Sequence, residues 1–187
     1  MPAGKLIVIS APSGSGKTTI AREIMRRNPS LGFSVSATTR QKRSMEEDGR
    51  DYFFLTKEEF RRRVDAAEFV EWEEMYGNYY GTLHSEIVRA EQEGRNLLFD
   101  LDVKGGLSIK RAYPHALLIF IAPPDIDTLR ERLINRRTED PDTLKRRLDR
   151  VPMEMTLGEQ FDHRVVNDDL ATAIDAVQTL VEHYITT

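Results

Sequence analysis

The stretch Leu6-Ile7-Val8-Ile9-Ser10-Ala11-Pro12-Ser13-Gly14-Ser15-Gly16-Lys17-Thr18 joins an apolar run to a glycine-rich loop, and a helix-compatible segment begins at Thr19. Consecutive apolar residues of this kind suit a strand buried on both faces. Gly14 and Gly16 stand where a chain must curl tightly enough for several backbone N–H groups to converge on one anion. The helix that follows aims its N-terminal amides at the same spot. In such a cradle Lys17 can bridge the β and γ phosphates of a nucleoside triphosphate, while the Thr18 hydroxyl joins a Mg2+ ion that keeps most of its waters. The pattern G-x-x-x-x-G-K-[ST] is met except that Ala11 takes the place of the first glycine, a change that is tolerable if φ stays negative there. A plain strand-to-helix connection is the alternative, and Gly-Lys-Thr at this offset after a buried-type strand argues against it. ATP with Mg2+ is therefore expected, held by Ala11, Pro12, Ser13, Gly14, Ser15, Gly16, Lys17, Thr18 and Thr19.

Working outward, the pattern predicts a helix over about 19–28, ended by Pro29, and a short strand over 33–36. Thr56 to Glu59 form a capping box that opens a helix to about residue 66, a strand is expected over 69–72, and 77–81 reads as a loop. This middle region lacks the strand and helix alternation of the rest, so it is expected to be an inserted substrate-binding lobe. The rhythm resumes with a helix over about 84–93 closed by Gly94 in the left-handed region, a strand over 97–101, a helix over 103–112 and a strand over 116–121. A helix over about 127–136 precedes a highly charged segment, 137–157, with a weak apolar stripe of Leu144, Leu148, Val151 and Met155, expected to be a lid. A strand over 164–167 and a closing amphipathic helix end the chain. The fold class is thus α/β: a three-layer αβα P-loop architecture with a parallel central sheet, an inserted mixed α+β lobe and a helical lid. Its single domain divides into a core of about 1–36, 83–136 and 158–187, a lobe of about 37–82, and a lid of about 137–157.

Composition narrows the function. A chain of 187 residues is long enough for one buried core and a small insertion. With a net charge of −4 it has no global attraction to nucleic acid or an anionic membrane, so any anion site must come from local clustering. Absence of cysteine excludes disulfides, thiolate nucleophiles and cysteine-ligated metals, and fits a reducing cytoplasm. The apolar run near the N-terminus is too short for a signal peptide or a membrane span. His84, His115, His163 and His183 lack ligand spacing and read as solvent-facing or internally satisfied imidazoles.

Several further stretches carry a resemblance: the P-loop, Thr38-Thr39-Arg40, Gly49-Arg50-Asp51-Tyr52, Glu71-Trp72, Gly77-Asn78-Tyr79-Tyr80-Gly81, Ile121-Ala122-Pro123-Pro124, and Val165-Val166-Asn167-Asp168-Asp169. Together and in this order they resemble guanylate kinases of the bacterial type over nearly the whole chain. The resemblance implies phosphorylation of GMP, and of dGMP, with ATP as donor. Arg40 and Arg43 would fork N–H donors onto the GMP phosphate with the Tyr52 and Tyr80 hydroxyls beside them. Ser36, Glu71, Gly81, Thr82 and Asp102 would take the base. Guanine presents N1–H and N2–H side by side, so one carboxylate at Glu71 can accept both, whereas adenine would set a bare lone pair against it. The bland alternative is that Glu71, Glu73 and Glu74 are a solvated strand face. Asp100 would hold Mg2+ through its shell of waters, and both Asp100 and Asp102 could instead, or also, cap the next helix. By the same resemblance Arg132, Arg136 and Arg147 neutralise the transferring phosphoryl group and Asn167 touches adenine, although charge-rich helices are usually just solvated. Two residues depart from the family pattern, Met45 after Arg43 and Arg137 after Arg136, each where a small residue is usual.

Two rivals stand beside this reading. Another small P-loop kinase, for adenylate or a metabolite, leaves the Arg40, Arg43, Tyr52, Glu71 and Tyr80 set without purpose. A catalytically inert interaction module of the same fold typically has a degraded P-loop, and Gly16-Lys17-Thr18 is intact here. Oligomeric state is left open.

Overall fold

The computed structural model describes residues 4–135 and 141–187. Strand β1 (Leu6–Ser10) leads through the glycine loop into helix α1 (Lys17–Arg27). This helix starts two residues earlier than the sequence pattern indicates, because Gly16 sits at φ 88° as the residue before its first turn and brings Lys17 and Thr18 inside it. After β2 (Gly32–Phe33) the chain leaves the core for β3 (Ala37–Thr38), β4 (Phe53–Phe54), α2 (Lys57–Asp65), β5 (Phe69–Met75) and β6 (Asn78–Leu83). It returns as α3 (His84–Gln92), β7 (Leu97–Asp100), α4 (Val103–Ala112), β8 (Leu117–Ala122), α5 (Ile126–Asn135), α6 (Pro141–Gly158), β9 (His163–Val166) and α7 (Leu170–Thr186).

Two sheets result. The larger runs β2-β7-β1-β8-β9 with every pair parallel. Alternation along its strands sends Ile7 and Ile9 of β1, with Leu98 and Ile119, toward Ile20 and Ile24 of α1 and Val177 and Val181 of α7. Leu6 and Val8, with Phe99 and Phe120, face the opposite layer, where Ile87 of α3, Ile109 of α4 and Phe161 wait. Both faces being covered, β1, β7 and β8 are apolar almost throughout, which is why they were legible as parallel; β9, at the edge, exposes His163, Arg164 and Val166. The smaller sheet, β4-β3-β6-β5, is mixed and has its own core of Ala37, Phe60, Phe69 and Leu83, with the Phe60 ring stacked on Phe69 at 4.4 Å.

The lobe is where the local pattern misleads. Residues 77–81 are not a loop: Tyr76 and Gly77 both take positive φ, 54° and 78°, the geometry of a two-residue hairpin turn, and β6 starts at Asn78. The stretch 33–36 is likewise no single strand, since β2 ends at Phe33 in one sheet and β3 begins at Ala37 in the other. Thr56 does cap α2, its hydroxyl accepting from Glu59 N at 3.1 Å, and Gly94 has φ 62° after α3.

The described part of the expected lid, from Pro141 on, is a helix of 18 residues. Its apolar stripe is used: Val151, Leu144, Leu148 and Met155 pack with Leu129 and Leu133 of α5. Arg136 and Arg137 lie outside the described residues. Among the described residues no helix is long and apolar enough to cross a membrane.

Candidate active site

Register places the chemistry. Because β1 is central and Ile9 lies beside Asp100 of β7, the P-loop and Asp100 emerge together at the carboxyl edge of the parallel sheet, where ligands of such folds collect. Gly14 at φ 93° and Gly16 at φ 88° turn the loop, while Ala11 avoids positive φ, as its side chain requires. At Gly16 a Cβ would sit 2.4 Å from Asn167 Nδ2, so the closeness of β9 also demands glycine there. Ser15 N donates to Pro12 O at 3.1 Å, tightening the turn.

Lys17 Nζ lies 2.6 Å from Asp100 Oδ1 and donates to Leu101 O at 2.9 Å. Burial works against its charge, but Asp100, joined by Asp102 and Tyr52, raises its pKa overall. Thr18 Oγ1 is 3.5 Å from the other oxygen of Asp100, so lysine, threonine and aspartate form one polar group beneath the loop. Around the loop's other side, Arg147 of α6 donates to Ser13 Oγ at 2.8 Å and Arg132 of α5 to Asn167 O at 3.0 Å. Asn167 is buried, with its Nδ2 donating to Ser15 O at 2.8 Å. That amide thus braces the P-loop.

Between sheet edge and lobe lies a cavity of about 190 Å³ lined by Lys17, Ser36, Tyr52, Glu71, Glu73, Met75, Tyr80, Gly81, Asp100, Leu101 and Asp102. It opens beside a larger cleft reached by Thr18, Arg40, Arg43, Tyr52, Tyr80 and Arg147. Glu71 projects from β5 toward α4, accepting from Thr82 Oγ1 at 2.7 Å. Gly105 permits this approach, since a Cβ there would meet Glu71 Oε2 at 3.1 Å. Burial pushes the Glu71 carboxyl up to about 7, only partly offset by the Thr82 hydrogen bond. Asp102 does cap α4, with Oδ1 accepting from Gly105 N at 2.8 Å, while its Oδ2 lies 3.2 Å from Arg150. Gly81 serves packing, because a Cβ would come within 2.8 Å of Glu71 O in the neighbouring strand.

Sequence reasoning overlooked three side chains here. Glu46 holds Arg40 in a two-pronged pair, 2.7 and 3.0 Å, and also accepts from Arg43 N at 2.8 Å. The Arg40 fork therefore grips a carboxylate of its own loop, which keeps Glu46 below the usual carboxylate range. Glu73 shares the cavity with Glu71, as a strand's period of two dictates once β5 is recognised; Glu74 alone keeps the solvated face expected of all three acids. Arg150 gives no signal beyond its i,i+4 spacing to Glu154.

A nucleotide-loop sheet with a second, arginine-flanked pocket across the cleft defines the class of P-loop phosphotransferases. Comparison with known proteins narrows it: the family model described as guanylate kinase matches residues 3–184. The chain is 50% identical over 183 residues to the guanylate kinase of Chlorobaculum tepidum, covering 97% of this chain and 94% of that one. It is 48% identical over 184 residues to that of Porphyromonas gingivalis, covering 97% and 98%. The crystal structure of guanylate kinase from Anaplasma phagocytophilum superposes with a TM-score of 0.80 at 26% identity, covering all of this chain and 89% of that one. The chain belongs to the guanylate kinase family, enzymes that move a phosphoryl group from ATP to GMP.

Proposed function

We propose that the chain carries out its family's reaction, GMP and ATP giving GDP and ADP, by direct in-line transfer without a covalent enzyme intermediate. One observation supports this above the others: Lys17 of the P-loop and Glu71 of the lobe line the same cavity. A lysine suited to phosphate and a carboxylate suited to guanine thus line one space of about 190 Å³.

In this reading the loop of residues 11–19, through its backbone N–H groups other than at Pro12, receives the ATP phosphates, and Lys17 turns from Asp100 to the β and γ oxygens. Arg40, Arg43, Tyr52 and Tyr80 take the GMP phosphate, Arg40 exchanging Glu46 for it. Glu71 accepts N1–H and N2–H of guanine, held in place by Thr82, with Ser36 and Asp102 completing the base site. Arg132 and Arg147, at the loop's rim, neutralise charge on the transferring group. Asn167 acts on the ATP side by fixing the Ser15 carbonyl. Residues 37–82 act as the GMP lobe and α6 as the lid, with dGMP expected to be accepted since no contact to the ribose is invoked.

Mg2+ fits the residues present. Thr18 and Asp100 supply a hydroxyl and a carboxylate at the P-loop, and no group of three or more acidic or histidine ligands occurs among the described residues, a sparse set that suits a cation carried in by polyphosphate and water. Bound there, the ion would offset charge on the β and γ oxygens. Free nucleotides as substrates suit a cytoplasmic location. The test is a coupled ADP-release screen over GMP, dGMP, AMP, CMP and UMP with Mg·ATP: strong preference for the guanine nucleotides is expected, and equal use of AMP overturns the base assignment.

A further inference from the structure

The guanidinium of Arg150, half-way along α6, meets acids from three different elements. Its Nη2 is 3.2 Å from Glu73 Oε1 on β5 and 3.2 Å from Asp102 Oδ2 at the start of α4, and its Nε is 3.4 Å from Glu154 Oε1 on α6 itself. Two of those acids, Glu73 and Asp102, line the cavity assigned above to guanine. Asp102 is pinned at both oxygens, one by Gly105 N and the other by Arg150, so the arginine completes its orientation. The second oxygen of Glu73 is buried with no hydrogen-bond partner and would be still less favourable as an ion without the cation beside it. Arg146 and Arg150 also lie 5.9 and 6.0 Å from the centre of the Tyr76 ring at the tip of the β5–β6 hairpin. Helix α6 thus touches both the lobe and the base pocket through one basic face.

We propose that Arg150 is a positioning residue for the guanine site, fixing Asp102 and Glu73 from the lid helix so that closure of α6 and occupation of the base pocket become one coupled event. The inference rests on reading the cavity as the guanine site. Three acids around one guanidinium leave the wall net negative, the complement of the N1–H and N2–H edge of guanine. Withdrawing Arg150 as α6 lifts leaves Glu73 and Asp102 facing each other uncompensated, which weakens the wall that guanine meets. Conversely, a base that draws on these carboxylates favours the position of α6 in which Arg150 stays with them. The role differs from that of Arg147, one turn away on the same helix, which reaches the P-loop at Ser13.

Steady-state kinetics separate this from a merely structural role. Arg150→Gln should raise KM for GMP roughly tenfold, the scale of a lost charge-assisted contact, with KM for ATP within about twofold. Arg150→Lys, which keeps the charge, should recover part of the loss. If Arg150→Gln proves unstable, Glu73→Gln reads the same coupling from the other partner, and its effect combined with Arg150→Lys should be less than additive. Unchanged KM for GMP in Arg150→Gln and Glu73→Gln, while the wild type turns over GMP and Glu71→Gln uses it about 10 to 100-fold less efficiently, overturns the inference alone. Failure of the wild type to use GMP overturns the reading of the cavity and the inference with it.

Discussion

Replacing Glu71 by Gln should make the protein more stable and nearly useless for GMP. The carboxyl is carried from an ordinary 4.5 to about 7, chiefly by burial. Ionised Glu71 is therefore disfavoured in the fold by roughly 3 kcal/mol well above pH 7, an upper bound because solvent still reaches part of the site. The sign follows from proton counting. Between 4.5 and 7 the folded chain binds more protons at this position than the unfolded chain, so stability falls as pH rises through that window and the full penalty is present at pH 8. At pH 5 less than about 1 kcal/mol remains. Glutamine avoids the ionic penalty and can still accept from Thr82 Oγ1, now at 2.7 Å from Oε1.

Allowing part of the gain to be lost in seating the amide, Glu71→Gln should gain about 1–2 kcal/mol at pH 8. For a chain of this size that is a rise in Tm of about 2–8 °C, shrinking to near zero at pH 5. Calorimetry at the two pH values measures the difference directly. The same variant, assayed by coupled ADP release, should use GMP about 10 to 100-fold less efficiently, because a neutral amide cannot accept both guanine N–H groups with the strength of a carboxylate. A Tm lower than wild type at pH 8, or a gain equal at pH 5 and pH 8, would refute the claim that a strained, ionised carboxylate waits in this cavity.

Three further outcomes are expected. Lys17→Ala should lower kcat by on the order of 10³ or more while leaving GMP affinity within a few-fold, measured by single-turnover assay and by calorimetric titration of GMP. GMP affinity of the wild type should rise about tenfold per pH unit up to about 7 and then level off, as Glu71 must release its proton before accepting guanine; a titration series from pH 5.5 to 8.5 reads this. Gly16→Ala sets a Cβ against Asn167 Nδ2 in a left-handed conformation, a strain of about 1–2 kcal/mol, and should raise KM for ATP far more than KM for GMP.

The core was legible because its information is local. An apolar run covered on both faces, a glycine loop and a helix follow one another within 28 residues, and the strand-to-helix step, without the glycine loop, recurs at β7 to α4 and again at β8 to α5. The lobe was harder for a physical reason. Its strands are two to seven residues long, two of them only residue pairs, and the pairing of β5 with β6 is fixed by a turn at Tyr76 and Gly77 rather than by periodicity. In Tyr76 the turn uses a non-glycine residue at positive φ, so no Asn-Gly or Asp-Gly signal announces it. Glu71 was found by resemblance. Glu73, two residues on, follows from strand geometry alone once the bland reading of that face is dropped.

What the sequence conceals is which charge holds which. Lys17 lies on Asp100, Arg40 on Glu46, and Arg150 between Glu73 and Asp102, each a contact across several to many residues of chain that depends on three-dimensional placement. Such pairing has a use in a protein with an overall charge of −4. Clustered cations facing each other across a cleft repel one another and would splay the site; a carboxylate beside Lys17, Arg40 and Arg150 keeps those side chains in place. Lys17 and Arg40 keep some contact with solvent, so in the proposed reaction a doubly charged phosphate can compete for them, whereas Arg150 stays with its carboxylates. The acids that sequence reading treats as solvated background are therefore part of the site. They hold Lys17, Arg40 and Arg150 in register.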